Sequence, residues 1–323
     1  MGGSSYDRDV YSSSSSYGWG SSSRSSNIGA SDYSSSRFRQ TTLSPILNPA
    51  HKVLESKTKH PVIVVLDVTG SNIDFARLVY DKMPMFYGQI EQQGYLDDFD
   101  VSFCAVGDAY VDDYPLQVGN FSKGIALDSI LEKIVLEGGG GGQRMESYEL
   151  AAYYLYKNTK FIHGSEPIIF FLGDEAPYPR LNVQQARRFG AECNENGVEP
   201  FGLLRKKVND NVFLLLSKYD GRNFQSEITN SWVNLLAPEH VIKVKEEKSV
   251  VDLMLGIIAM VSMSRTLESY KDDMRDREQT PERIKSVSES LKDLETVFNI
   301  VRGVDTNSGA QSTVISTQKG KRL

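Results

Sequence analysis

A carboxylate and two hydroxyls occupy alternate positions directly after the apolar run 61–66. They belong to Asp67, Thr69 and Ser71, and Gly70 separates the two hydroxyl residues. Oxygen ligands of this kind suit hard cations such as Mg²⁺ or Mn²⁺. In a tight loop, side chains at alternate positions can converge on one point. The segment therefore predicts a cation site built from oxygen atoms.

The element that must carry this loop is a strand over residues 61–66, which are uncharged and rich in β-branched side chains. Such a run is typical of a strand buried on both faces, as in a parallel sheet. A second run of this kind, 167–172, is followed by Gly173 and Asp174. Ligands of open α/β sheets bind at the carboxyl ends of the strands, so we expect Asp174 near the Asp67 loop. A glycine-rich segment, 138–146, permits close backbone approach at the same edge.

The rest of the chain alternates between strand and helix patterns. This alternation predicts an α/β fold, a doubly wound and mostly parallel sheet flanked by helices and Rossmann-like in its layers. The further predicted strands are 100–106, 199–204, 212–216 and 241–244, and the predicted helices are 73–90, 125–135, 148–156, 183–194, 232–236 and 250–263.

Composition divides the chain into five segments. Residues 1–45 are rich in Ser and Tyr, and we predict a disordered arm that serves either as a flexible tail or as a docking arm. Residues 46–59 are a predicted linker, and 60–263 form the α/β domain. The helical segment 264–303 precedes a flexible tail, 304–323. The apolar stripe of segment 264–303 either packs back on the domain or meets a partner helix. Self-association through this helix or the tails therefore stays open.

Charge and hydropathy exclude several classes of protein. The 323 residues carry a net charge of −6, which argues against nucleic acid as the main ligand. No apolar run approaches the ~20 residues of a membrane span, and the serine-rich start is not a secretory signal. We therefore expect a cytoplasmic protein. The two cysteines, Cys104 and Cys193, are expected to be buried thiols. The four histidines fall outside the three loops, so no nucleophile–base pair indicates an enzyme.

Asp67-x-Thr69-x-Ser71, the glycine-rich segment and Asp174 together resemble the metal-ion-dependent adhesion site (MIDAS) of von Willebrand factor A-type (integrin inserted-domain-like) domains. The resemblance covers about residues 60–263, and the form Asp-x-Thr-Gly-Ser is similar to the intracellular branch of that family. It implies a von Willebrand A-like fold and Mg²⁺ (or Mn²⁺) held by Asp67, Thr69, Ser71 and Asp174.

The family also has a threonine on the glycine-rich loop, and residues 142–145 offer none. We expect Glu146 to substitute for it; its other interpretation is an acid that complements the start of the next helix. Two other acids near the same edge, Asp108 and Glu175, are expected to be solvated loop residues.

The function implied by the resemblance is metal-dependent protein–protein interaction, in which an acidic side chain of an unidentified partner completes the coordination of the cation. One alternative is a structural or assembly protein with a vestigial metal site. Another is a haloacid dehalogenase-type phosphohydrolase, with Asp67 as nucleophile. That family places a second acid where this chain has Thr69. A phosphate-binding role of the glycine run lacks the lysine and hydroxyl that end such loops.

Overall fold

The computed structural model describes residues 40–137, 144–194, 197–219 and 223–301. The predicted arm, the glycine run and the predicted tail lie largely outside these ranges. The strands are β1 (Leu54–Ser56), β2 (His60–Asp67), β3 (Phe99–Val106), β4 (Leu116–Val118), β5 (Met145–Glu146), β6 (Thr159–Phe161), β7 (Ile168–Gly173), β8 (Ala176–Pro177), β9 (Val212–Leu216) and β10 (Val241–Lys243). The α-helices are α1 (Ile73–Gln93), α2 (Ala126–Leu131), α3 (Tyr148–Asn158), α4 (Val183–Arg188), α5 (Pro200–Lys207), α6 (Gln225–Leu236), α7 (Val250–Val261), α8 (Leu267–Asp276) and α9 (Pro281–Val301).

Six strands form the central sheet in the order β10-β9-β7-β2-β3-β4. All neighbours pair in parallel except β3 and β4, which are antiparallel. The predicted α/β fold with a mostly parallel, doubly wound sheet is therefore confirmed. Strand β2 lies between β3 and β7, and the strand order proceeds from β2 toward both edges of the sheet. This arrangement makes the carboxyl end of β2 a topological switch point, where doubly wound sheets place their ligands.

Strand β2 is buried along its whole length because helices cover both faces of the sheet. Val62, Val64 and Leu66 face a core that includes α1, α7, α8 and α9. Ile63 and Val65 face the opposite core, which includes α3, α5 and α6. The two sets alternate because successive side chains of a strand point to opposite faces. The continuous apolar run thus follows from a strand with two buried faces.

The C-terminal helical segment packs on the domain. Ile284, Val287, Leu291 and Leu294 on α9 are buried in the same core as α7. At Gly256 of α7, an added Cβ would lie 2.6 Å from Leu291 Cδ1, so the glycine allows the helices to approach closely. Of the two interpretations of this stripe, packing against the parent domain is the one observed for these residues.

One predicted strand is wrong. Residues 200–204 belong to helix α5, and Glu199 caps the helix by accepting hydrogen bonds from the backbone N–H groups of Phe201 and Gly202. Pro200 takes the first helical position, where its missing N–H costs nothing. The predicted helix 183–194 is also shorter than expected, since α4 ends at Arg188.

The segment predicted to be a linker contributes to the described structure. Strand β1 pairs in parallel with β6, and Leu47 and Leu54 are buried. Cys104 and Cys193 are buried free thiols, as expected. No helix among the described residues is long and apolar enough to cross a membrane.

Candidate functional site

Asp67 is the last residue of β2, and its side chain is completely buried. Its Oδ1 accepts hydrogen bonds from the backbone N of Thr69 at 2.9 Å and from Thr69 Oγ1 at 2.6 Å. A carboxylate that binds the backbone two residues on is a common way to close a turn after a strand. The structure therefore brings together the first two of the predicted ligands, and Thr69 is as fully buried as Asp67.

Ser71 and Asp174 meet across the switch point. Ser71 lies in the short 3₁₀ turn between β2 and α1, and Asp174 directly follows β7. The Ser71 hydroxyl donates to Asp174 Oδ1 at 3.3 Å, and Asp174 is only 1% exposed. The two loops lie side by side because their strands are parallel neighbours, with Leu66 of β2 opposite Leu172 of β7. This is the convergence that the sequence predicts.

The turn after β2 is held by two polar residues that sequence reasoning missed. Asn72 Nδ2 donates to the carbonyl of Asp67 at 3.1 Å, and the Ser217 hydroxyl donates to Asn72 Oδ1 at 3.1 Å. Ser217 also donates its backbone N–H to the carbonyl of Gly173 at 2.9 Å. The ends of β2, β7 and β9 are thereby linked. The sequence signal was a serine directly after a third buried strand.

Glu146 belongs to β5, which pairs in parallel with β8. Its side chain is 3% exposed, and Oε2 has no hydrogen-bonding partner among the described residues. Burial, together with the neighbouring charge of Asp67, raises the pKa of Glu146 to about 11. A buried carboxylate oxygen without a partner is costly. The environment of Glu146 is therefore suited to a bound cation or to a proton.

Asp108 and Glu175 are not solvated loop acids, so this expectation is wrong. Asp108 is 1% exposed and accepts hydrogen bonds from the backbone N of Tyr110 and the hydroxyl of Tyr178, both at 3.0 Å. Glu175 is 6% exposed, and its Oε2 lacks a hydrogen-bonding partner within the described part of the chain. The backbone N of Ala109, next to Asp108, donates to the Ser147 hydroxyl at 2.9 Å, so the loop after β3 contacts the segment that follows β5.

The site brings together five buried carboxyl groups, those of Asp67, Asp108, Glu146, Asp174 and Glu175. Burial raises the pKa of Asp67, and burial followed by the charge of Asp67 raises the pKa of Asp174 to about 8 and of Glu175 to about 7. Arg144 lowers the pKa of Glu175, but its influence is smaller than that of burial or of Asp67. Carboxylates that raise one another's pKa values in a buried site are the arrangement that a divalent cation would relieve.

The donor set fits a small, hard cation that retains water. Among the described residues, no group of three or more His, Cys, Asp or Glu side chains could hold a metal ion. A cation at this edge would therefore also need the hydroxyls of Thr69 and Ser71. Mg²⁺ is commonly held by one or two carboxylates and several waters, so this donor set is compatible with it.

Tyr148, the first residue of α3, also contacts Asp67. Its hydroxyl donates to Asp67 Oδ2 at 2.5 Å, and the ring is completely buried. Burial, and next the charge of Asp67, raises the pKa of Tyr148 far above its usual value, so the phenol stays protonated and remains a donor. The sequence placed Tyr148 only at a helix start and did not connect it with the site.

Comparisons with known proteins show little beyond distant similarity. No protein-family model matches the chain, and neither does any curated protein. The chain is similar to the pilus adhesin SpaC from Lactobacillus rhamnosus GG, at 11% identity and a TM-score of 0.44, over 65% of this chain and 31% of that one. It is also similar to proximal thread matrix protein 1 from the mussel byssus, at 10% identity and a TM-score of 0.41, over 64% of this chain and 49% of that one. The chain thus spans less than half of either protein.

Proposed function

We propose that this chain contains a von Willebrand A-type domain that binds Mg²⁺ or Mn²⁺ and, through the cation, an acidic side chain of a partner protein. The single observation that carries the proposal is the buried carboxylate oxygen of Glu146, which lacks a hydrogen-bonding partner among the described residues and lies beside the buried charge of Asp67. The sequence motif, the switch-point location and the hydroxyls of Thr69 and Ser71 support the same proposal.

Thr69 and Ser71 provide hydroxyl oxygens, and their hydrogens are already donated to Asp67 and Asp174. The oxygens of these hydroxyls therefore keep lone pairs for a cation while the carboxylates hold their orientation. Glu146 replaces the threonine that the glycine-rich loop lacks. When bound, the cation supplies an exchangeable position that a partner's carboxylate can fill. The domain has no catalytic role in this proposal, and its cytoplasmic location stays a prediction.

The test is calorimetric titration of metal-stripped protein with Mg²⁺, Mn²⁺ and Ca²⁺. The informative variant is Asp67→Asn, which keeps the shape of the side chain but removes its charge. The matched control is Asp100→Asn, because Asp100 is also a buried aspartate, held by Ser56 and Thr58 near the opposite end of the sheet. We expect one equivalent of Mg²⁺ to bind to the native protein and to the control, with binding lost in Asp67→Asn.

The metal-dependent interaction is contradicted if the folded native protein binds none of the three cations. That outcome would favour a structural or assembly protein in which the site is vestigial. Equal binding by the native protein and by Asp67→Asn would place the cation elsewhere and also contradict the proposal.

A further inference from the structure

The position of Tyr148 is set by two aromatic side chains that pack against its ring. Its ring meets that of Trp232 edge-on with centroids 5.1 Å apart, and that of Phe171 with centroids 6.4 Å apart. Trp232 is itself anchored, because its indole N–H donates to the carbonyl of Glu175 at 2.7 Å. The phenol is therefore a rigid group whose hydroxyl reaches Asp67 from a fixed direction.

The hydrogen bonds of Asp67 leave little of its carboxylate free. Oδ1 accepts two hydrogen bonds, both from Thr69, and Oδ2 accepts one from Tyr148. Each carboxylate oxygen has two lone pairs. Oδ1 is therefore saturated, and one acceptor position remains on Oδ2. With these bonds in place, Asp67 can serve a cation or a coordinated water through one oxygen only.

The contact between Tyr148 and Asp67 also depends on Gly173, the last residue of β7. A Cβ atom added at this glycine would overlap the Tyr148 hydroxyl and would lie 3.0 Å from Asp67 Oδ2. Any other residue would push the phenol away from the carboxylate. The backbone of β7 thus provides the space through which Tyr148 reaches Asp67.

We propose that Tyr148 is a positioning residue of the candidate cation site, which restricts Asp67 to one free acceptor position and thereby favours Mg²⁺ over Ca²⁺. Ca²⁺ takes six to eight oxygens in a flexible arrangement, whereas Mg²⁺ requires near-ideal octahedral geometry and therefore a carboxylate oxygen held in one direction. A carboxylate held at both ends suits the smaller ion. This inference rests on the proposed function.

The test compares Mg²⁺ and Ca²⁺ affinities of the native protein and of Tyr148→Phe by calorimetry. Loss of an outer hydrogen-bonding partner typically weakens metal binding about 10–100-fold. We expect the Mg²⁺ Kd to rise by at least about 10-fold, while Ca²⁺ binding changes little because its flexible coordination tolerates a carboxylate that is no longer held in one direction. The ratio of the two Kd values is the decisive readout, since a merely structural defect would weaken both cations alike.

The matched control is Tyr154→Phe. Tyr154 lies on the same helix and is equally buried, but its hydroxyl donates to the carbonyls of Pro49 and Lys52, away from the site. This variant should keep the native Kd ratio. Gly173→Ala is a second variant with the same expected effect, because it displaces the phenol while the side chains of Tyr148 and Asp67 are retained. It replaces Tyr148→Phe in the test if that variant does not fold.

The outcomes separate this inference from the proposed function. If the native protein binds no cation, both are overturned. If it binds Mg²⁺ and both site variants keep its Kd ratio, only the positioning role of Tyr148 is overturned. A Kd ratio shifted toward Ca²⁺ in Tyr148→Phe or Gly173→Ala, but not in Tyr154→Phe, supports the inference.

Discussion

Ser71 and Asp174 are 103 residues apart in the chain, yet the hydroxyl of one lies 3.3 Å from the carboxylate of the other. The contact exists because each residue follows one of two adjacent parallel strands. It joins the motif after β2 to the acid after β7. Four of the five residues predicted as ligands thus form two hydrogen-bonded pairs, Asp67 with Thr69 and Ser71 with Asp174.

The first prediction concerns this second pair. Ser71→Ala and Asp174→Asn should each raise the Mg²⁺ Kd by about 10-fold or more, because each removes a ligand or the partner that orients it. The double variant should lose less than the sum of the two, since neighbouring residues that share a contact are not additive. Calorimetric titration of all three variants checks this. Ser290→Ala, a serine that donates to the carbonyl of Lys243, is the control. Strictly additive effects would contradict a shared site.

The second prediction is a dependence of stability on pH in the metal-free protein. The pKa values of Glu175 and Asp174 are about 7 and about 8 in the folded state, above the ~4 of unfolded carboxyl groups. Between about pH 4 and about pH 8, the folded protein therefore binds more protons than the unfolded chain. The contribution of these two groups to the free energy of unfolding is fully present below about pH 4. It is lost as the pH rises through 7 and 8.

Thermal melts in a chelator at pH 6, 7 and 8 check this dependence. We expect the Tm to decrease over this series. Saturating Mg²⁺ should raise the Tm most at pH 8, because a ligand that binds only the folded state stabilises it and the carboxylates are then ionised. A Tm that rises from pH 6 to 8 in the chelator would contradict the prediction.

The third prediction tests whether helix α9 folds with the domain. Leu291→Ala removes a completely buried side chain that contacts the Gly256 region of α7, and should lower the free energy of unfolding by about 2–5 kcal/mol. Lys292→Ala, on the exposed face of the same helix, should change it by less than about 0.5 kcal/mol. Urea unfolding gives both values. A separate early transition in the leucine variant would show instead that α9 unfolds independently.

The fourth prediction concerns a buried ion pair that joins α7 to the turn after α8. Arg277 Nη2 lies 3.2 Å from Asp252 Oδ1, and Asp252 is 2% exposed. Burial raises the pKa of Asp252 to about 6, and Arg277 is the largest of the opposing influences. Arg277→Met should destabilise the protein by about 3–5 kcal/mol, because it leaves a buried charge without its partner.

Chemical denaturation near pH 7, where Asp252 is mostly ionised, measures this loss. Arg275→Met is the matched control, since Arg275 is an exposed residue that pairs with Asp272 on the same helix. The control should be nearly neutral, as exposed ion pairs contribute little. An equal decrease in the free energy of unfolding in both variants would show that the buried ion pair contributes no more than the exposed one.

The features that could be predicted from the sequence follow from local chemistry. Continuous β-branched runs are buried on both faces of a parallel sheet, so β2 and β7 were predictable, and with them the edge where Asp67 and Asp174 lie. Helix α5 was not, because its start depends on a glutamate cap that competes with an apolar pattern equally compatible with a strand. The oxygen motif 67–71 was readable because its spacing is local.

Which other groups reach that edge depends on long-range packing. Tyr148 meets Asp67 beside Gly173, and three acids from separate segments of the chain, Asp108, Glu146 and Glu175, are buried. None of these contacts follows from spacing along the chain. The stripe of α9 was readable as apolar, but which surface would cover it was not. Burial depends on which elements pack together, and a single helix pattern does not carry that information.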